Sequence, residues 1–231
     1  MSTSGSGTVN AALYAIVLVC AVRAAIVVLD GEPGRLMRRP PVAAVALWLA
    51  VAIPSLLQAP FPGMLHSLGR DPDLIRGHRQ WWRLVTSVLV QDGGVAGTGF
   101  NLTVLALIGV LAVRIWGSTR SLIIFAVAAI AFNLAATFLS PSAGAGNSGA
   151  TLALATSVTG LAGVTRRQPA TVLLTALTAG CGSVLLALLD AHGEAVLGGL
   201  VLGLLITAIS LPDSGIPGRT GPDRSAGTAQ G

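Results

Sequence analysis

Apolar runs of 14 to 19 residues, separated by short polar links, recur along the whole chain. That pattern restricts the fold more than any other feature. At 1.5 Å per residue the longer runs cross a hydrocarbon core of about 30 Å as helices. Inside a bilayer only helices and closed barrels satisfy their own backbone groups. The runs are Ala11–Leu29, Val42–Gln58, Phe100–Val113, Leu122–Leu139, Ala150–Val164, Thr171–Leu189 and Ala195–Leu211. Several are short and rich in Ala and Gly, which suits closely packed membrane helices. The reading is an all-α, polytopic helical bundle. Composition agrees, with 53% apolar and 10% charged residues and a mean hydropathy of +0.78, a balance foreign to soluble domains.

All 14 basic side chains are arginine. They are scattered at the ends of runs rather than gathered with aromatics, so the high pI does not point to nucleic acid. Cys20 and Cys181 both fall inside apolar runs and form neither a disulfide framework nor a metal site. Residues 1–10 are rich in Ser, Gly and Thr, and residues 212–231 in Pro and Gly; both read as disordered. The N-terminal segment lacks the positive region of a signal peptide, so the first run is retained. Arg23 interrupts that run and snorkels to the nearer surface.

Every second link is basic. Arg35, Arg38 and Arg39 follow the first run, Arg114 and Arg120 the third, Arg166 and Arg167 the fifth, and Arg219 and Arg224 the last. By the positive-inside rule those links are cytoplasmic, giving an outside N-terminus and a cytoplasmic C-terminus in the cell membrane. The stretch Ala59–Thr98 is then an outer loop. Its apolar end, Leu84–Val90, is too short to cross and lies in the interface or re-enters.

Within this frame the polar residues of interest share one leaflet. The stretch Gly144-Ala145-Gly146-Asn147-Ser148-Gly149-Ala150-Thr151 opens the fifth run at its outer end. Gly146 and Gly149 leave room for close approach, and Ser148 falls where a helix begins, with backbone N–H groups free for an anion. Those are the needs of a serine nucleophile with an oxyanion site. Helix capping and small-residue packing are the plainer readings. The link Asp190-Ala191-His192-Gly193-Glu194 opens the last run on the same side, and Asn101 lies near the outer end of the third. A histidine within reach of Ser148 can take its proton, and an amide can hold the oxyanion. Taken singly, His192 also fits a solvated loop and Asn101 an interhelical hydrogen bond.

Together these residues resemble the rhomboid intramembrane serine proteases. Trp82-Arg83 in the long outer loop is similar to that family's Trp-Arg motif. Asn101, in Phe100-Asn101-Leu102, stands where the family places its oxyanion asparagine. Gly146-Asn147-Ser148-Gly149 resembles the Gly-x-Ser-Gly nucleophile motif. His192 is followed by Ala195, Gly199 and Gly203, a stripe of small residues that lets the last helix pack against the serine helix. The resemblance covers residues 42–211 as a six-span core. Residues 11–41 then form an extra N-terminal span and its cytoplasmic link.

The resemblance implies a Ser148–His192 dyad, with the Ser148 N–H and Asn101 at the oxyanion, cleaving transmembrane segments of membrane-protein substrates from within the lipid bilayer. It implies no metal and no cofactor, and says nothing of oligomeric state. The chain departs from the family at three positions. Gly97 stands for a histidine one turn before Asn101, Leu152 for an aromatic that stacks on the histidine, and Val113 for a glutamate. Gln91 and Asn147 are the amides placed to compensate at the oxyanion. Aligning Gly198-Gly199 differently puts Val196, rather than His192, at the histidine position. A catalytically inactive rhomboid-like protein that binds transmembrane segments is the alternative function. A small transporter is disfavoured by the scarcity of polar residues at mid-membrane.

Overall fold

The computed structural model describes residues 4–30 and 38–210, all of whose regular elements are helical. The first is α1 (Ser4–Leu29), followed by α2 (Val42–Leu57). The stretch expected as the outer loop holds three short helices, α3 (Gly63–Leu68), α4 (Pro72–His78) and α5 (Arg83–Thr86), and a 3-10 turn at Ser87–Leu89. Five long helices complete the chain: α6 (Gly94–Trp116), α7 (Ser118–Phe138), α8 (Ser148–Thr165), α9 (Pro169–Ala187) and α10 (His192–Ser210). Most of α1, with α6, α7, α9 and α10, is long and apolar enough to cross a membrane; α2 is a shorter apolar helix of 16 residues.

The helix ends follow local chemistry. Asp71 caps α4 by accepting from the N–H groups of Asp73 and Leu74. Gly117, at φ +79°, turns the chain between α6 and α7. Pro169 at the start of α9 sits behind a capping box between Gln168 and Thr171.

Some boundaries differ from the hydropathy reading. Residues 4–10, expected to be disordered, are the first turns of α1, and Asn10 is hydrogen-bonded across the bundle. A partner on another element supplies the order that local composition does not. Helix α6 starts at Gly94 rather than Phe100, α8 at Ser148 rather than Ala150, and α10 at His192 rather than Ala195. In each case polar or glycine residues form the outer turn, which hydropathy alone cannot register. Leu84–Val90 is a helical turn whose Leu84, Val88 and Val90 are buried. The link at residues 31–37, with Arg35, and residues 211–231, with Arg219 and Arg224, lie outside the described residues.

Helix α8 is the axis of the bundle, with every residue from Gly149 to Gly160 buried. Its side chains are small, so neighbours approach closely: α1, α6, α7, α9 and α10 all pack on it. The contact with α10 is the most extensive. A Cβ on Gly199 would lie 2.2 Å from the Ala153 carbonyl oxygen, and one on Gly203 2.1 Å from that of Ser157. A Cβ on Gly160 would meet the Leu200 oxygen at 2.4 Å. Here the stripe of small residues allows backbone to lie on backbone. Helix α1 lies against α6, α8 and α9. It therefore sits on the flank of the bundle between α6 and α9.

Candidate active site

Three chain segments meet where α8 and α10 begin and α6 runs through its first turns. Ser148 is the first residue of α8 and is half-buried. As a helix N1 residue, its N–H has no partner within the helix. The approach to it is held by several contacts. Gly146 has φ +138°, a backbone conformation open to glycine, and a Cβ there would meet Gln91 Oε1 at 3.0 Å. Its N–H donates to the Ser87 carbonyl at 2.9 Å. Asp92 Oδ2 accepts from the Ala145 N–H at 2.9 Å. Gly149 faces the Phe132 ring, where a Cβ would come within 2.5 Å.

His192 opens α10. Its Nε2 lies 2.8 Å from Ser148 Oγ. Its Nδ1 lies 2.8 Å from Asp190 Oδ1, which also accepts the His192 backbone N–H at 3.0 Å. The imidazole is flanked by two rings. Tyr14 meets it edge-on with centroids 5.2 Å apart, and Phe132 is tilted against it at 5.3 Å. Leu152, the residue in place of a stacking aromatic, is buried with Val17, Cys181, Leu185 and Val196, a cluster on which Tyr14 packs. Val196 is thus an apolar core residue, and the imidazole beside Ser148 is that of His192.

Asp190 is held from both sides. Asn10 Nδ2 donates to Oδ2 at 2.7 Å, and the Tyr14 hydroxyl donates to the same oxygen. Burial raises the Asp190 pKa, but the hydrogen bonds from His192 and Tyr14 outweigh it and hold the carboxyl at about 2. The group is a carboxylate at neutral pH.

Asn101 projects from α6 beside this pair. One of its two amide N–H groups donates to Gln91 Oε1 at 2.9 Å, leaving the other for a ligand. Gln91 is buried, and its Nε2 donates to Asn147 Oδ1 at 3.0 Å and Ser55 Oγ at 3.1 Å. Asn147 in turn donates to Thr151 Oγ1 at 2.8 Å. A chain of side-chain amides therefore fixes the orientation of Asn101. Gly97, where the resemblance leads one to expect histidine, has nothing within 4 Å of a Cβ position. Val113 lies twelve residues beyond Asn101, about 18 Å along α6, and is buried with Ala44 and Val110.

Two buried arginines organise the loop: Arg83 ties it to itself and Arg70 ties it to the elements beside the site. Arg83 Nε donates to Gln80 Oε1 at 2.6 Å, and its Nη1 donates to the carbonyls of His66 and Gly69 at 2.9 and 2.6 Å. Its neighbour Trp82 is exposed. Arg70 Nη1 donates to Asn133 Oδ1 at 2.6 Å and Nε to the Ser142 carbonyl at 2.9 Å; its guanidinium lies over the Phe132 ring. Backbone hydrogen bonds pair Arg70 with Gly144. Burial lowers the Arg70 pKa, offset in part by Asp92. Arg70 thus ties the segment before Ser148 to the outer loop.

Two cavities meet at the site. One, of about 250 Å3, is apolar and lies between Tyr14 and Leu18 of α1, Phe100 and Val104 of α6, and Leu152 of α8. The other, of about 360 Å3, is polar and lies under the outer loop beside Arg70, Asp92 and Asp190. Asn101, Ser148 and His192 line both. Among the described residues no group of three His, Cys, Asp or Glu side chains is placed to hold a metal ion.

The sequence reading singled out Ser148, His192 and Asn101, and the fold brings them together. It missed Tyr14, Asn10, Phe132 and Arg70, and treated Asp190 only as an outer-loop charge. An acid two residues before a candidate base was the one available signal, since an Asp side chain accepts readily from the backbone N–H two residues on.

Comparison with known proteins identifies the family. Residues 78–213 match the family described as the Rhomboid domain. A segment of 86 residues is 34% identical to the rhomboid protease GluP of Bacillus subtilis (strain 168). That match covers 37% of this chain and 17% of the relative.

Proposed function

Because this chain belongs to the rhomboid family, whose members are intramembrane serine proteases, we propose that it is an intramembrane serine endopeptidase with Ser148 as nucleophile and His192 as its base. The 2.8 Å contact between Ser148 Oγ and His192 Nε2 carries the proposal. In the attack, Ser148 Oγ bonds to the carbonyl carbon of a peptide and its proton passes to Nε2. The oxyanion is received by the Ser148 N–H at the start of α8 and by the unused N–H of Asn101. The imidazolium then protonates the leaving amine, the C–N bond breaks, and an acyl-Ser148 ester remains. Water, deprotonated by His192, hydrolyses the ester and restores both residues.

The substrates are transmembrane segments of other membrane proteins, locally unwound so that a peptide bond is accessible. The apolar cavity beside α1 and α6 suits a substrate side chain, and the polar cavity under the outer loop suits water. The topology that fits is an outside N-terminus and a cytoplasmic C-terminus. Supporting it, Arg114 donates to the Arg39 backbone carbonyl, and Arg166 to the Asp30 carboxylate, at the helix ends remote from Ser148.

The test is labelling of the purified protein in lipid nanodiscs by a fluorophosphonate probe. Wild type is expected to label, and Ser148→Ala and His192→Ala to lose the label. Loss with Ser148→Ala alone moves the base elsewhere. No labelling of a folded sample removes the enzyme reading and leaves binding of transmembrane segments without cleavage.

A further inference from the structure

A dyad needs no third residue, yet His192 Nδ1 is occupied. We propose that Asp190 is the positioning residue for His192, and that α1 is a working part of the active site because Asn10 and Tyr14 hold Asp190 in place. The inference rests on the reading of Ser148 and His192 as nucleophile and base.

The hydrogen-bond count carries it. Asp190 Oδ1 faces His192 Nδ1 at 2.8 Å and the His192 backbone N–H at 3.0 Å. Oδ2 takes Asn10 Nδ2 at 2.7 Å and the Tyr14 hydroxyl. A carboxylate accepts at both oxygens, so the proton shared with Nδ1 belongs to the imidazole. The neutral ring then carries its hydrogen on Nδ1 and presents the Nε2 lone pair to Ser148 Oγ–H, the tautomer a general base requires. When the Ser148 proton arrives on Nε2, the ring becomes a cation 2.8 Å from a fixed negative charge. Asp190 stays ionised throughout; no proton moves to it.

A cap alone does not explain the arrangement. The bond from the His192 N–H to Asp190 is an ordinary start to α10, and it uses one oxygen. The second oxygen is held by side chains 180 and 176 positions away in the chain. Both come from α1, which precedes the matched family region at 78–213. Tyr14 also has its hydroxyl 3.2 Å from His192 Nδ1 and its ring beside the imidazole. It lines the apolar cavity with Leu18, so α1 also forms a wall of the proposed substrate site.

The experiment separates positioning from capping. An Asn side chain accepts from the N–H two residues on as an Asp does, so Asp190→Asn keeps the turn into α10 and removes the charge. An Asn amide facing Nδ1 also permits the wrong tautomer. Rates of fluorophosphonate labelling are measured on the full chain in nanodiscs, resolved into the maximal rate and the half-saturating probe concentration. Asp190→Asn is expected to lower the maximal rate by roughly 100- to 10,000-fold, with the half-saturating concentration unchanged and the melting temperature lowered by only a few degrees. Tyr14→Phe removes one hydroxyl and keeps the ring; it is expected to lower the maximal rate by about 3- to 10-fold. Wild-type labelling with Asp190→Asn equally fast overturns the inference and leaves the dyad standing. Parallel loss of rate, probe affinity and melting temperature in both variants also overturns it, because a structural role alone then suffices. Wild type that fails to label overturns both the inference and the reading beneath it.

Discussion

Two joints hold the site, and they are built differently. Between α8 and α10 the backbones touch, with Gly199 and Gly203 against the carbonyls of Ala153 and Ser157. Between α1 and the start of α10 the contact is made by polar side chains, Asn10 and Tyr14 on Asp190. The first joint sets how near Ser148 and His192 come. The second sets how the imidazole is turned. Shape fixes the distance and hydrogen bonding fixes the orientation, so the two joints fail in different ways when disturbed.

The largest effect is expected at the first joint. Gly203→Leu forces a side chain into the Ser157 backbone and must part the helices. A loss of about 3 kcal/mol or more is expected, with labelling abolished. Gly198→Leu is the control on the same helix: that glycine has nothing within 4 Å of a Cβ and is exposed. It should change the melting temperature little and leave labelling intact. Equal damage from both substitutions would show that the α8–α10 contact is not special.

Next is Asn101→Ala, which touches neither joint. It should lower the labelling rate by about 100- to 1,000-fold while the protein melts near the wild-type temperature. A smaller loss would assign the oxyanion to backbone N–H groups alone.

The smallest effect concerns the second joint and acid. The Asp190 carboxyl, held at about 2 against an ordinary 3.8, has its pKa lowered by folding. Its contribution to stability is full above pH 3.8 and is lost as pH falls through about 2. Solvent screening at the edge of the site keeps the effect modest. Between pH 5 and pH 2 the melting temperature of wild type should fall more steeply than that of Asp190→Asn. Parallel curves would mean that Asp190 gains nothing from its partners.

The first joint was legible in the sequence and the second was not. Small residues at offsets of three, seven and eleven from His192 mark a helix face, and helical period is a local property. The pairing of Ser148 with His192 followed from that face, and Asn101 from its motif and shared leaflet. Asn10 and Tyr14 meet Asp190 only because α1 folds back beside α9, and nothing local in a Ser- and Gly-rich start announces this. The same applies to the departures. Leu152 removes an aromatic beside the imidazole, but Tyr14 and Phe132 provide rings from two other helices. Gly97 removes a partner of the oxyanion region, while Gln91 reaches Asn101 from the outer loop. Arg70 looked like one more loop arginine until Asn133 and Ser142 were seen to bind it. Sequence motifs marked which groups are present; the elements that orient them are distant along the chain.

The glycine contact between α8 and α10 is also the place about which any tilt of α10 would turn. Gly199 lies seven residues below His192, about 10 Å along the helix. Ser148 and His192 are therefore the tips of a pair of blades crossed at that point. Rotation of α10 by about 6° about the pivot moves the histidine by about 1 Å, a displacement that can cost about a hundredfold in rate. Helix tilt responds to bilayer thickness. A lever of this length would turn a tilt of α10 in thinner or thicker lipid into a change in the separation of the two residues.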